Sequence, residues 1–256
     1  MKDLFSVSGK VVLVTGGSRG IGAMIARGFV ENGARVYISA RKAAACDATA
    51  RELGELGECI SLPADLSSDQ ACEELAAEVA RREKKLDVLV NNAGTNWAAP
   101  LDEYPDDAWD KVLSVNVKAV FNLTRHCHAL LTAAATPSDP ARVINIGSID
   151  GLRVLEVETY AYSTSKAAVH QVTRLLARRL APESITVNAV APGPLESKMM
   201  AETLDRFGEA IVASCPLSRI GTPEDMAGVA IYLASRAGAY VTGTVIPVDG
   251  GIYGTI

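Results

Sequence analysis

The sequence predicts a doubly wound α/β fold: one open sheet of about seven parallel strands with helices on both faces. Three observations predict it. From Lys10 onward, short runs rich in Val, Ile and Leu alternate with longer stretches of helical period, the pattern of repeated βαβ units. The short runs are apolar almost throughout rather than at every second position, as strands covered on both faces require. A glycine cluster joins the first apolar run to the first helical stretch.

Strands are expected at Val11–Thr15, Arg35–Ser39, Cys59–Pro63, Leu86–Asn91, Arg142–Gly147, Ile185–Val190 and Thr244–Val248. Helices are expected at Ile21–Asn32, Ala43–Leu56, Asp69–Glu83, Asp106–Ala134, Tyr160–Leu180 and Pro223–Ala234, with Gly33 at the position where a glycine ends the first of them. Two segments break the rhythm. Thr136–Pro140 lengthens the loop before the fifth strand. Pro192–Thr222, irregular around a short helical stretch, follows the carboxyl end of a strand, where open α/β sheets bind ligands, and is a candidate lid. At about 150 residues per domain, 256 residues allow one or two domains. No Pro/Gly/Ser linker divides the chain, so one domain over 1–256 is expected, with the lid at about 192–222.

Composition narrows the chemistry. Hydrophobic residues at 48% and charged ones at 21% suit a buried core. No apolar run approaches the roughly 18 residues of a membrane helix, and 1–10 lacks the apolar stretch of a secretory signal, so a cytoplasmic protein without membrane insertion is expected. With 25 Lys and Arg against 30 Asp and Glu, the net charge of −5 argues against nucleic-acid binding. The five cysteines form no C-x-x-C pair, and three histidines leave little material for a zinc helix or a hydrolase triad. His126 and His128 lie two apart on a helix and point to different sides, so no metal site is expected.

Thr15-Gly16-Gly17-Ser18-Arg19-Gly20-Ile21-Gly22 runs from strand to helix. In that context Gly16 makes the tight turn, Gly20 lets backbone approach a pyrophosphate, and Gly22 lets the helix pack closely on the strand. The first N–H groups of the helix face the anion. A Rossmann-like dinucleotide site is therefore expected here. Its second strand ends in Ile38-Ser39-Ala40-Arg41-Lys42, without the acid that would accept a ribose 2′-hydroxyl. Arg41, with Arg19 from the glycine loop, suits a 2′-phosphate, so NADP(H) is expected over NAD(H).

Tyr162-Ser163-Thr164-Ser165-Lys166 opens a long helix, and a spacing of four sets Tyr162 and Lys166 on one face. A phenol ordinarily titrates near 10, and an adjacent ammonium is expected to lower that value, making Tyr162 an acid/base at neutral pH. Tyr160 has no lysine four residues on. Asn145-Ile146-Gly147-Ser148 closes the fifth strand and Asn91-Asn92-Ala93-Gly94 the fourth, at the same sheet edge. Asn116, between Val115 and Val117 inside an expected helix, is a poor helix former, and holding a water or a backbone group would explain it.

With these motifs in place, the sequence resembles the short-chain dehydrogenases/reductases from Gly9 to Gly251. The resemblance implies a tetrad of Asn116, Ser148, Tyr162 and Lys166: the residue matching Tyr162 protonates a carbonyl oxygen as nicotinamide delivers hydride, Ser148 polarises that oxygen, Lys166 binds the nicotinamide ribose, and Asn116 holds a relay water. It further implies cofactor contacts from Gly16, Ser18, Arg19, Gly20, Ile21 and Gly22, from Arg41, from Asp65 and Leu66, from Asn92, Ala93 and Gly94, and from Pro192 and Gly193. Ser197 stands where the family usually has Thr. Homo-oligomers, dimeric or tetrameric, are implied through the Asp106–Ala134 and Tyr160–Leu180 helices. Gly17-Ser18-Arg19, Ser39-Ala40-Arg41, the Thr136–Pro140 loop and Val248-Asp249-Gly250-Gly251 resemble 3-oxoacyl-thioester reductases, those of rhamnolipid synthesis in particular. Trp97, Leu152, Val154, Leu155, Met199 and Met200 are candidates for an apolar wall facing a hydrophobic ketone. A small-molecule carbonyl or alcohol substrate follows, the alternatives being an oxidative alcohol, sugar or steroid dehydrogenase and a non-catalytic nucleotide sensor.

Overall fold

The computed structural model describes residues 2–154, 157–196 and 201–255, and only the backbone of 201–204. Seven strands are present: β1 (Val11–Thr15), β2 (Arg35–Ser39), β3 (Cys59–Ser61), β4 (Val88–Asn91), β5 (Ala141–Ile146), β6 (Ile185–Pro192) and β7 (Val245–Val248). They form one sheet in the order β3-β2-β1-β4-β5-β6-β7, with every pair parallel. The expected fold class is therefore present. The order reverses between β1 and β4, which opens a crevice above their carboxyl ends.

Alternate strand residues feed two cores. Val12, Val14, Val36, Ile38, Val90 and Ile144 join α1 (Gly20–Glu31), α2 (Ala43–Gly54) and α9 (Pro223–Ala234) on one face. On the other, Leu13, Tyr37, Leu89, Val143 and Val187 meet α3 (Asp69–Arg82), α5 (Ala119–His126), α6 (His128–Ala134) and α7 (Tyr160–Leu180). Burial on both sides is why the strands read as unbroken apolar runs. The remaining helices are α4 (Asp106–Leu113), α8 (Ala201–Ala213) and a terminal turn, α10 (Ile252–Thr255).

The expected single helix over Asp106–Ala134 is instead three, α4, α5 and α6. A π-turn at Ser114–Lys118 separates the first two, and a break at Cys127 separates the last two. The apolar periodicity continues through both interruptions, so the pattern hid them. The Thr136–Pro140 loop is tied down by Arg142, which is fully buried on β5. Its guanidinium donates to the Pro140 carbonyl, to Leu233 O at 2.9 Å and Ser235 O at 2.8 Å at the end of α9, and to Asp139 at 3.2 Å. Within the 192–222 segment the two ends meet: Leu195 pairs with Gly221, whose N–H donates to Pro194 O at 2.9 Å. Helix α8 lies between them. No helix of the described residues is long and apolar enough to cross a membrane.

Candidate active site

The glycine loop is shaped by exclusion. Gly16 and Gly20 have φ of +65° and +53°, the left-handed region that side chains disfavour. A Cβ on Gly22 would lie 2.3 Å from Gly16 O and 2.4 Å from Asn92 Nδ2, so α1 sits as close to β1 as backbone allows. Asn92 closes the loop, its side-chain amide donating to Thr15 O at 2.8 Å and Gly16 O at 3.2 Å. Thr15 Oγ1 accepts from the N–H groups of Asn92 and Ala93 at 2.9 and 3.0 Å. Thr15 thus ties β1 to the turn after β4. It stands in the glycine motif, yet its hydroxyl was not among the expected contacts, because its partners are 77 and 78 residues away.

Around that loop, Ser18 accepts through its carbonyl from Thr49 Oγ1 at 3.0 Å. Arg19, the residue before α1, is exposed with extended backbone, and Arg41 is exposed just after β2. Among the described residues neither forms an ion pair. Ile21 packs its apolar side chain on the core below. Asp65 accepts from Ser67 N at 3.2 Å, and Leu66 is buried beneath it. Gly94 lies beside Asn116, whose Oδ1 would be 3.3 Å from a Cβ placed there. Pro192 ends β6, and Gly193 donates to Val248 O at 2.9 Å while a Cβ on it would strike Asp249 at 2.6 Å. Ser197 lies outside the described residues, as do Leu155, Met199 and Met200.

The reacting groups converge from three elements. Asn116 sits in the π-turn, buried, and its amide clamps the loop after β4: Oδ1 accepts from Thr95 N at 2.8 Å, and Nδ2 donates to Thr95 O and Ser165 Oγ, each at 2.9 Å. The expectation that this asparagine holds a backbone group is met. The extra residue of a π-turn aims it at α7, an instance of such bulges at functional positions. Ser148, buried just beyond β5, accepts from Asp150 N at 3.1 Å. Lys166 is buried and donates to Ile146 O at 2.8 Å, with its ammonium 5.4 Å from the Tyr162 ring centre.

Tyr162 and Lys166 do share one face, but the expected lowering of the phenol is not found. Burial and the Asp150 carboxylate raise the Tyr162 phenol well above its ordinary value, and Ser148 only partly opposes them. Lys166 is itself pushed down to about 8 by burial, with Asp150 pulling the other way. The spacing of four placed the two groups correctly. It carried no information on how little water reaches either, and desolvation disfavours both charged forms.

Two further residues stand beside the cluster: Asp150, which the sequence did not single out, and His170, whose place one turn beyond Lys166 reads from the sequence as packing or a partner contact. Asp150, partly buried, donates its backbone N–H to Ser148 Oγ at 3.1 Å. His170, one turn beyond Lys166, is 2% exposed, and among the described residues neither ring nitrogen has a partner within hydrogen-bonding geometry. It fills the space that side chains on Gly147 and Gly151 would need. Burial pushes it down to about 4. Tyr160 turns away, donating to Glu158 and meeting Tyr104 edge-on at 5.2 Å. His126 and His128 pair with Asp69 at 2.9 Å and Glu183 at 2.7 Å. Of the expected apolar wall, Trp97 lies beneath Lys111, Leu152 packs with Ile149 and Ile252, and Val154 is almost fully exposed.

A crevice at a strand-order reversal, a glycine loop beneath it and a Ser-Tyr-Lys cluster at its rim define a dinucleotide-dependent oxidoreductase. A family model described as Enoyl-(Acyl carrier protein) reductase matches residues 16–253, and the chain belongs to the short-chain dehydrogenase/reductase family. The rhamnolipids biosynthesis 3-oxoacyl-[acyl-carrier-protein] reductase of Pseudomonas aeruginosa is 49% identical over 255 residues, 99% of this chain and 100% of that one. The solved Pseudomonas aeruginosa RhlG/NADP active-site complex superposes with a TM-score of 0.96 at 49% identity, covering 99% of this chain and 100% of its own. A gluconate 5-dehydrogenase from Burkholderia cenocepacia, in complex with NADP and tartrate, superposes at 0.92 with 30% identity and 99% coverage of both chains.

Proposed function

We propose that this enzyme is an NADPH-dependent ketoreductase acting on a hydrophobic ketone, a 3-oxoacyl thioester in the first instance. The observation that carries the reading is the full-length likeness to the 3-oxoacyl reductase of Pseudomonas aeruginosa and its NADP complex, set on a site whose Tyr162 is held protonated. The residues present fit the cofactor. The glycine loop offers backbone where a side chain would block a pyrophosphate, and exposed Arg19 and Arg41 suit a 2′-phosphate where an acid would repel it.

When bound, the nicotinamide supplies the hydride. Tyr162 gives its proton to the carbonyl oxygen, and a high phenol value keeps that proton in place at neutral pH. Ser148 donates to the same oxygen as negative charge develops there. Lys166, which donates to Ile146 O, would hold the nicotinamide ribose. Asn116 holds the loop after β4 against α7. Gly16, Ser18, Ile21, Gly22, Asp65, Leu66, Asn92, Ala93, Gly94, Pro192 and Gly193 would hold the cofactor, and the family resemblance adds Ser197 to them, with the candidate lid at about 192–222 over the substrate.

Within this reading the protein is cytoplasmic and a homo-oligomer, dimer or tetramer. Phe121 on α5 and Leu175 on α7 support the latter, standing 46% and 59% exposed on the two helix faces expected to pair. The test follows NADPH consumption across 3-oxoacyl thioesters, simple ketones, ketosugars and ketosteroids. Fastest turnover is expected on 3-oxoacyl thioesters. A preference for sugars would favour the dehydrogenase reading that the gluconate enzyme's likeness also supports.

A further inference from the structure

The loop that follows β4 is stitched to the backbone of Tyr162 from both sides. On one side the loop itself fixes the Asn116 amide. Thr95 N–H can only donate, so Oδ1 accepts it at 2.8 Å, and the two Nδ2 protons go to Thr95 O and Ser165 Oγ, each at 2.9 Å. Ser165, with no exposed surface, must therefore accept from Asn116, and its single proton goes to Tyr162 O at 2.6 Å. On the other side Tyr104 spans the same gap. Its hydroxyl accepts from Ala161 N at 3.1 Å and donates to Trp97 O at 3.4 Å.

Ala161 lies in the first turn of α7, where an N–H has no partner within the helix. Thr159, the residue before the helix, makes no side-chain cap, and the Tyr104 hydroxyl takes that place from another part of the chain. The Tyr104 ring is itself braced, edge-on to Tyr160 at 5.2 Å and tilted against Trp109 at 6.1 Å. Each hydroxyl accepts one hydrogen bond and donates its one proton, so both bridges are complete.

We propose that Tyr104 and Ser165 are positioning residues of the reacting site: together they clamp the backbone on either side of the Tyr162 Cα to residues 95–97, so that the loop after β4 sets where the phenol points. The consequence for turnover rests on the reductase reading, and the bonds themselves do not. Proton transfer requires the phenol oxygen within hydrogen-bond reach of the carbonyl oxygen, and a displacement of about 1 Å costs up to about 10²-fold in rate. The start of the loop is held apart from this clamp, because Thr15 fixes Asn92 and Ala93. A loosened clamp therefore lowers kcat and spares NADPH binding.

Two variants and a control in the full-length enzyme test the clamp. Tyr104→Phe keeps the ring packing and removes one hydroxyl, and Ser165→Ala removes the other. Each is expected to lower kcat about five- to tenfold, to raise the solvent deuterium isotope effect on kcat, and to leave the NADPH dissociation constant within about twofold of the wild type. The double variant is expected to lose more than the product of the single losses, since either bridge alone still holds the turn. Glu158→Ala is the control. Its carboxylate accepts from Leu101 N at 3.3 Å and from the Tyr160 hydroxyl, tying the same loop to α7 away from Tyr162, and the variant is expected to keep kcat within about twofold. Independently of turnover, amide hydrogen exchange of Ala161 in Tyr104→Phe and of Thr95 in Ser165→Ala is expected to quicken about tenfold. Should Ser165→Ala fold poorly, Ser165→Cys keeps the shape with a weak donor and must show the same split between kcat and NADPH binding. Unmoved kcat with unmoved exchange, or an equal loss of kcat in Glu158→Ala, would overturn the proposal. Absence of turnover on every ketone and alcohol would sink the reductase reading instead, and hydrogen exchange would then decide the clamp by itself.

Discussion

The glycine loop and the reacting cluster lie at the same sheet edge, yet they are built in opposite ways. The loop works through backbone: positive φ at Gly16 and Gly20, and an approach at Gly22 that excludes even a methyl group. The cluster works through side chains brought from the π-turn, the end of β5 and α7, and its properties depend on burial and charge. Backbone demands are local and leave a sequence signature, since only glycine meets them. Protonation states are collective, because each depends on solvent access and on charges that other elements supply.

Four changes test this contrast. The largest effect belongs to the cluster. Tyr162→Phe should lower kcat by about 10³-fold or more, roughly 4 kcal/mol of transition-state stabilisation, while the NADPH dissociation constant measured by fluorescence changes little. Full retained activity would remove Tyr162 from the mechanism.

Next is the cost of burying Lys166. Its value is lowered from 10.5 to about 8 in the folded chain, so between those limits the unfolded chain binds more protons and stability rises with pH. Relative to Lys166→Met, the wild type should gain up to about 3 kcal/mol on going from pH 8 to above 10, read from urea midpoints. A flat difference would mean that water reaches the ammonium.

Gly22→Ala tests the loop. The added methyl meets backbone oxygen at 2.3 Å, so a loss of about 1–3 kcal/mol in unfolding free energy is expected, together with weaker NADPH binding. A stable variant with normal binding would show that α1 can retreat from β1. The smallest effect is at the rim, where Arg41→Ala should raise the NADPH dissociation constant about tenfold and that of NADH much less, the value of one charged hydrogen bond in a solvated place. An unchanged ratio would return Arg41 to the role of a solvated surface residue.

Much of the fold was legible because each strand of a two-sided parallel sheet is an apolar run between turn signals, and all seven strands and five of the six expected helices lie where that pattern places them. The helix over Asp106–Ala134 was misjudged because a π-turn inserts its extra residue without disturbing the apolar stripe, and Asn116 alone marked it. Thr15 illustrates the converse. Its place in the glycine motif was plain, but its bonds to Asn92 and Ala93 exist only because β1 and β4 are neighbours across the strand-order reversal.

The order of residues was enough to set the sheet, the glycine loop and the identity of the groups at its edge, since periodicity, glycine and the four-residue spacing of Tyr162 and Lys166 are properties of near neighbours in the chain. Their charge came from folding. It buried Lys166 and Tyr162 together so that both resist ionisation, and it set Asp150 against Ser148 where the sequence offers merely an acid two residues downstream. The physical reason is that the cost of a charge is set by everything within a few ångströms of it, and most of what surrounds these groups comes from distant parts of the chain.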